Sequence, residues 1–304
     1  MTSSSPVGRL RVGTRGSLLA LAQTRAIAER FDGDVEIVEI TTKGDVDRTP
    51  LSQLGGTGVF VSALREALLS GEVDIAVHSM KDLPTAPAEG IALAAVPARE
   101  DPRDALVSRG GRTLDELQEG ARVGTGSPRR KAQLLSARPD LDVVDIRGNI
   151  TTRMDRAIGS EPDLDAVVLA VAGLQRAGFA DRISEALDTE RFPQAPAQGA
   201  LAIETRADDE DAQRAVAVVE DEATRAAVGA ERLVLAGLEA GCSAPVGASA
   251  GIVDGALTLT ASVYALDGTR MLQAAATDSV AHQAVVADRV VRELLEAGAE
   301  ELVK

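Results

Sequence analysis

Aromatic side chains are nearly missing from this chain: four Phe, one Tyr and no Trp make up 2% of its 304 residues. Its cores must therefore be packed from Leu, Val, Ile and Ala, and a base-stacking nucleic-acid surface, which needs aromatic faces, is disfavoured. An excess of positive charge is lacking as well. The formal net charge is -15, so a polyanion such as DNA is repelled at long range. The one cysteine, Cys242, excludes a disulfide within the chain. Two histidines, His78 and His282, are too few for a metal centre and stand at no ligand spacing, so no metal is expected. No apolar run reaches membrane-spanning length; the best, Ala166 to Leu174, is short and contains Gly173. Met1 to Arg9 offers no apolar stretch of the secretory kind. These absences lead us to expect a cytoplasmic protein with no membrane or nucleic-acid partner.

What is present is an alternation of short apolar runs with amphipathic segments, the pattern of sheets covered by helices. Strands are expected at Leu10–Val12, Val35–Ile40, Ile75–Val77 and Ile91–Val96, with helices at Ser17–Arg30 and Phe60–Leu69. A Gly-rich stretch, Gly44 to Gly58, reads as a mobile lid; it lacks the strand and the Gly-Lys-Ser/Thr ending of a nucleotide loop. After a charged break at Ala98–Arg103 the alternation resumes. Thr113-Leu-Asp-Glu116 is a capping-box pattern that predicts a short helix. Strands are expected at Arg122–Val123, Leu141–Ile146 and Ala166–Leu169, with helices at Pro128–Ala137 and Thr152–Ile158. Beyond a Pro-rich stretch, Phe192 to Gly199, comes one more apolar run, Ala200–Ile203, and then a long helical stretch from about Asp208 to Leu238. Alternating segments at Leu257–Ala265 and Met271–Ala276, joined by the hairpin signal Asp267-Gly268, precede a closing helix at Gln283–Glu296. No internal repeat is visible.

Three places share one design, in which a strand ends, a small turn with Gly and a hydroxyl follows, and a helix starts beside arginine. They are Thr14-Arg15-Gly16-Ser17, Thr125-Gly126-Ser127-Pro128-Arg129-Arg130 and Arg147-Gly148-Asn149-Ile150-Thr151-Thr152-Arg153. Helix N-termini offer free N–H donors, and arginine adds a bidentate grip on carboxylate or phosphate. From Arg122 to Arg156 there are eight basic and four acidic residues; from Glu204 to Arg232 there are four basic and nine acidic. Positive charge is thus concentrated in one region of an acidic chain, although a solvated helix face would read the same way. His78-Ser-Met-Lys-Asp82 follows a strand, where ligands bind in open sheets. Asp82 there suits acid–base work or cation stabilisation, or simply satisfies turn donors. Cys242 sits in an exposed-looking Gly-Cys-Ser-Ala-Pro loop, which fits either a reactive or an inert thiol.

Together these segments resemble the porphobilinogen deaminase (hydroxymethylbilane synthase) family, from about Leu10 to Gly247. The matching motifs include Thr14-Arg15, Lys43-Gly44-Asp45, Asp74 to Asp82, Arg99-Glu-Asp-Pro-Arg-Asp104, Arg129-Arg130, Arg147-Gly148-Asn149 with Arg153, Leu169 to Leu174 with Arg176, Gln198-Gly199 and Gly241-Cys242. The resemblance implies an α/β fold: two type II periplasmic-binding-protein-like α/β domains flanking a cleft, plus a small C-terminal α+β domain. Its implied boundaries are 1–98 with 198–218, 99–197, and 219–304. It implies a transferase of tetrapyrrole (heme, siroheme, corrin) biosynthesis that condenses four porphobilinogen molecules with loss of ammonia and releases a linear tetrapyrrole. It further implies a dipyrromethane cofactor held by thioether at Cys242, with Asp82 as catalytic carboxylate. Lys81, Thr125, Ser127, Arg129 and Arg130 become cofactor contacts by position, and Arg15, Ser17, Arg147, Arg153 and Arg176 substrate contacts. A monomer is implied. Departures from familiar members include Gln53 and Thr57, where relatives carry loop lysines, and Gly16, Pro128 and Ala240. The rival readings are a non-catalytic cytoplasmic anion-binding protein of the same fold and the effector domain of a transcription regulator; neither has a use for Cys242.

Overall fold

The computed structural model describes residues 9–41, 61–241 and 244–303. The Gly-rich stretch, with Gln53 and Thr57, and Cys242 lie outside the described residues. The chain divides into two compact units, Met1–Arg99 with Ala200–Arg225, and Glu100–Gly199 with Ala226–Lys304.

The first unit opens with β1 (Leu10–Thr14), a helix at Leu18–Ala28 and β2 (Val35–Glu39). The helix starts where it does because the Ser17 hydroxyl accepts from the Ala20 amide at 3.3 Å. A helix at Ser62–Leu69 leads to β3 (Ile75–Ser79), and β4 (Ile91–Ala95) follows. β1 pairs in parallel with both β2 and β3. Val12 and Ile75 are fully buried on one face of this sheet, and Leu64 and Leu68 press against the other. Burial of each such side chain contributes roughly 1.5–3 kcal/mol.

The second unit begins with β5 (Asp104–Ser108), a strand the sequence hid because only Ala-Leu-Val lies between its polar ends. Then come β6 (Arg122–Thr125), the helix Pro128–Ala137, β7 (Asp142–Asp145), the helix Ile150–Ile158, β8 (Ala166–Ala170), the helix Val171–Arg176 and the short β9 (Glu185–Ala186). The strand order is β7-β6-β8-β5-β9, with β6 parallel to β7 and β8 and antiparallel pairing from β5 to β8 and β9. β5 is buried throughout and β8 nearly so. Such unbroken burial is what helices on both faces of a sheet require.

The capping box at Thr113 does not open a helix. Glu116 accepts from the Thr113 amide at 2.8 Å, as the box requires, but Arg138 takes the carbonyls of Leu114 and Leu117 at 2.7 and 3.0 Å. Those carbonyls are then engaged outside any helical ladder, and the segment stays a turn.

The chain returns to the first unit as β10 (Leu201–Arg206), antiparallel to both β3 and β4, giving the order β2-β1-β3-β10-β4. Each five-stranded sheet therefore places one antiparallel strand, the first after a crossing of the chain, beside its third parallel strand. This duplication is one of topology, and the sequence carries no repeat to reveal it. The long helix expected from Asp208 to Leu238 is two, Glu210–Val216 and Glu222–Gly237. Glu220 between them is extended (φ -60, ψ 136). Its carboxylate accepts from the Val96 amide at 2.7 Å, while Asp221 starts the second helix by accepting from Thr224 N at 2.7 Å.

The remainder of the second unit is an antiparallel meander, β11 (Val246–Val253), β12 (Ala256–Tyr264) and β13 (Met271–Ser279), with the helix Gln283–Glu296 packed on it. Its core includes Val234, Leu257, Leu259, Val286 and Val290. The hairpin turn falls at Asp267-Gly268, as the sequence indicates. Two α/β layers and a small α+β part make up the expected fold class.

Candidate active site

Every candidate in the first unit stands at the carboxyl end of a parallel strand, where open sheets bind ligands. Arg15 and Ser17 follow β1, and Lys81 and Asp82 follow β3. β3 ends in a single 3-10 turn, Met80–Asp82. Met80, which opens the turn, and Leu83, which follows it, are buried, the Met80 amide donates to the Ala200 carbonyl at 3.0 Å, and Asp82 is left exposed. A carboxylate is thus presented to solvent on a turn anchored at both ends. Among the described residues, none makes a hydrogen bond or ion pair with it. Lys81, Arg15 and Ser17 are half-buried.

Beneath this turn lies a buried ionic cluster. Arg65 grips Glu204 of β10 with two bonds, 3.0 Å from Nε and 2.6 Å from Nη2, and His78 Nε2 stands 3.3 Å from Glu204 Oε2. Burial pushes the Glu204 carboxyl up, but His78 and Arg65 more than reverse it and draw it down to about 2. His78, buried beside Glu204, is structural here.

In the second unit the arginines gather at the carboxyl ends of β6, β7 and β8. The helix Pro128–Ala137 begins under Ser127, whose hydroxyl accepts from Arg130 N at 3.4 Å. Thr125 is buried, and its hydroxyl accepts from Ser127 N at 3.2 Å, so it shapes the turn. Asn149 caps the helix Ile150–Ile158, accepting from Thr152 N at 2.9 Å. Neither helix has an acidic residue in its first turn to offset its positive dipole end.

Arg129 and Arg130 are only 2% and 7% exposed. Asp104, itself fully buried, takes both: Arg129 Nη1 at 2.7 Å and Arg130 Nε at 2.9 Å. Arg129 also donates to Gln133 Oε1 and the Pro193 carbonyl, each at 2.8 Å. Arg130 reaches the Val168 carbonyl at 3.1 Å and Gln198 Oε1 at 3.2 Å. Burial pushes the Asp104 carboxyl up, yet the two guanidinium charges outweigh it and hold it well below the usual carboxylate range. Desolvation draws Arg130 down. Two positive charges against one negative leave the cluster with a net positive charge, and Arg129 Nε is buried with no hydrogen-bond partner among the described residues.

The remaining arginines differ in how far they are committed. Arg176 ion-pairs with Glu100 at 2.9 Å and donates to the Gly199 carbonyl at 2.7 Å. Arg153 donates to the Gly148 carbonyl at 2.7 Å. Arg147 is half-buried and makes no hydrogen bond or ion pair with a described residue. Sequence reasoning assigned no role to Asp104, Gln133 or Gln198. Asp104 and Gln198 stand in the motifs Arg99 to Asp104 and Gln198-Gly199, whose shared occurrence was the only signal available.

Comparison with known proteins gives a consistent result. Residues 10–214 match the family model described as porphobilinogen deaminase, dipyromethane cofactor binding domain, and residues 225–296 match porphobilinogen deaminase, C-terminal domain. The chain is 56% identical to the porphobilinogen deaminase of Leifsonia xyli subsp. xyli, over 97% of this chain and 94% of that protein. It is 51% identical to the porphobilinogen deaminase of Thermobifida fusca, over 96% and 95%. Porphobilinogen deaminase 1 of Streptomyces coelicolor is 50% identical, over 95% and 96%.

Proposed function

Because the chain belongs to the porphobilinogen deaminase family, we propose that it is the transferase that joins four porphobilinogen molecules head to tail, with loss of ammonia, and releases the linear tetrapyrrole by hydrolysis. One observation of the structure carries the reading: arginines and two helix N-termini without an acidic residue in their first turn stand at the carboxyl ends of β6, β7 and β8. Each pyrrole ring brings an acetate and a propionate, so the product is a polyacid and needs cationic ground. The anion-binding rival uses the same ground but leaves the family match to a condensing enzyme unexplained.

The donor set fits the dipyrromethane cofactor. A buried Arg129 Nε without a partner among the described residues and a cluster of net positive charge suit a carboxylate-bearing group. When bound, that group supplies the nucleophilic pyrrole carbon on which the chain is built. Cys242 is its attachment point in our reading, and Lys81, Ser127, Arg129 and Arg130 hold its carboxylates, with Thr125 shaping the turn that presents them.

Asp82 acts on porphobilinogen itself. Loss of ammonia leaves a methylene-pyrrole cation, and the Asp82 carboxylate on its anchored turn stabilises it electrostatically. Asp82 also accepts pyrrole N–H groups and takes the α-proton released on bond formation. Arg15, Ser17, Arg147, Arg153 and Arg176 receive the substrate side chains. Arg147, which makes no hydrogen bond or ion pair with a described residue, is the foremost of these. We assign domain 1 to 1–98 with 198–218, domain 2 to 99–197 and domain 3 to 219–304, in a cytoplasmic monomer.

The intact mass of the purified protein tests this reading. The expected mass exceeds that of the polypeptide by two pyrrole units, and Cys242→Ser abolishes the increment. Asp82→Asn keeps the increment and loses turnover by roughly 10²–10⁴-fold. An active protein of bare polypeptide mass would overturn the covalent mechanism.

A further inference from the structure

Glu39 is an acid that stands with Asp82 at the carboxyl edge of the first sheet. It ends β2 and is the register partner of Thr14 in β1, which places it beside the Arg15-Gly16-Ser17 turn. Its side chain leans over that turn: a Cβ on Gly16 would lie 3.0 Å from Glu39 Oε2. Gly16, one of the positions where the chain departs from familiar members, therefore leaves open the space beside which the carboxylate sits.

Glu39 is exposed and makes no hydrogen bond or ion pair with a described residue. The helix Leu18–Ala28 is capped without it, since the Ser17 hydroxyl accepts from the Ala20 amide. A carboxylate accepts and does not donate, so a ligand of Glu39 must bring a donor, and a cationic donor binds it best.

Two groups of porphobilinogen donate: the pyrrole N–H, which Asp82 takes in the reading above, and the aminomethyl ammonium that leaves as ammonia. An alkylammonium titrates close to lysine, at about 10.4, and is charged at neutral pH. Rings already joined to the chain have lost this group. A carboxylate here attracts the incoming monomer and repels the polyacid. Arginine cannot make that distinction, because every ring carries the same acetate and propionate. The spacing agrees. In the order β2-β1-β3, the ends of β2 and β3 lie about 10 Å apart at the usual strand separation. A pyrrole N–H held by Asp82, the adjacent aminomethyl group and two hydrogen bonds of about 2.9 Å can bridge such a span.

We propose that Glu39 is a specificity-determining residue that binds the ammonium group of incoming porphobilinogen, with Gly16 leaving room for its carboxylate. The assignment rests on the functional reading above. Glu39 holds the ammonium until the C–N bond breaks. The electron pair then stays with nitrogen, ammonia departs neutral, and the positive charge passes to the methylene-pyrrole that Asp82 stabilises.

The test compares the full-length holoenzyme with its Glu39→Gln variant, using porphobilinogen and a competitive inhibitor. The inhibitor is the same pyrrole diacid with methyl in place of aminomethyl. KM for porphobilinogen should rise roughly three- to tenfold, the range of a lost hydrogen bond to a charged group, with kcat within about twofold. The inhibition constant of the methyl compound should stay the same or fall, since it has no ammonium to lose and no longer meets the acid. An unchanged KM would overturn the assignment; with a lower melting temperature, it would make Glu39 a partner of the helix dipole. Equal rises in KM and in the inhibition constant would also overturn it, because the acid would then act on the carboxylate contacts. A wild-type protein that neither consumes porphobilinogen nor binds the methyl compound fails the functional reading and this inference together. Wild-type turnover with an unchanged KM in Glu39→Gln fails this inference alone.

Discussion

The Asp104 carboxylate lies 2.7 Å from the Arg129 guanidinium, with both side chains buried and Arg130 sharing the same acid. A buried ion pair contributes little net stability as a whole, but removal of one member leaves an uncompensated charge in a low dielectric. Asp104→Asn strands two arginines at once. It should lower stability by roughly 3–5 kcal/mol, read as a fall in the urea midpoint, and a shift under 1 kcal/mol would show that the cluster is hydrated and relaxed.

Arg147 predicts the opposite pattern. With no hydrogen bond or ion pair to a described residue, Arg147→Ala should leave the melting temperature almost unchanged, as surface substitutions do. KM for porphobilinogen should rise by about tenfold. Unchanged kinetics would remove Arg147 from the substrate contacts.

Acid stability should depend on Glu204. Its carboxyl titrates at about 2 in the folded chain against 4.5 for the free side chain. Between those values the unfolded chain binds more protons, so folding is favoured as pH rises. The contribution is complete above pH 4.5 and is lost as pH falls toward about 2. Unfolding measured from pH 5 to 2 should therefore show a steeper loss for the wild type than for Glu204→Gln. Parallel curves would mean that Arg65 and His78 do not hold the carboxylate in solution.

Gly268 is the most exacting position in the hairpin. Its φ is +76, and an added Cβ meets the backbone at Ser136 and Ala132. Gly268→Ala should cost roughly 1–3 kcal/mol, visible as a melting temperature lower by several degrees. An unaltered melting temperature would indicate that the hairpin lifts away from the helix without penalty.

Much of the framework was legible because it is written locally. Ser127-Pro128 announces the helix Pro128–Ala137 to the residue, since a capping hydroxyl and a proline at the first helical position act within one turn. β5 and β11 were not legible: their short or small-residue runs become strands only through neighbours far along the chain. The break at Glu220 was hidden for a related reason. Glu-Asp-Glu suits a helix surface, and only contact with the Val96 amide turns it into a corner. The candidate site divides in the same way. The sequence reveals that positive charge is concentrated, yet not that Asp104, 25 residues before Arg129, neutralises part of it in the interior.

β10 completes the first sheet by slotting between β3 and β4, and it lies on the far side of the whole β5–β9 segment. A ribosome releasing this chain therefore emits β3 and β4 long before their shared neighbour exists. Until residue 206 has emerged, both strands carry open hydrogen-bonding edges, and the nascent N-terminal portion is exposed to mispairing for that interval.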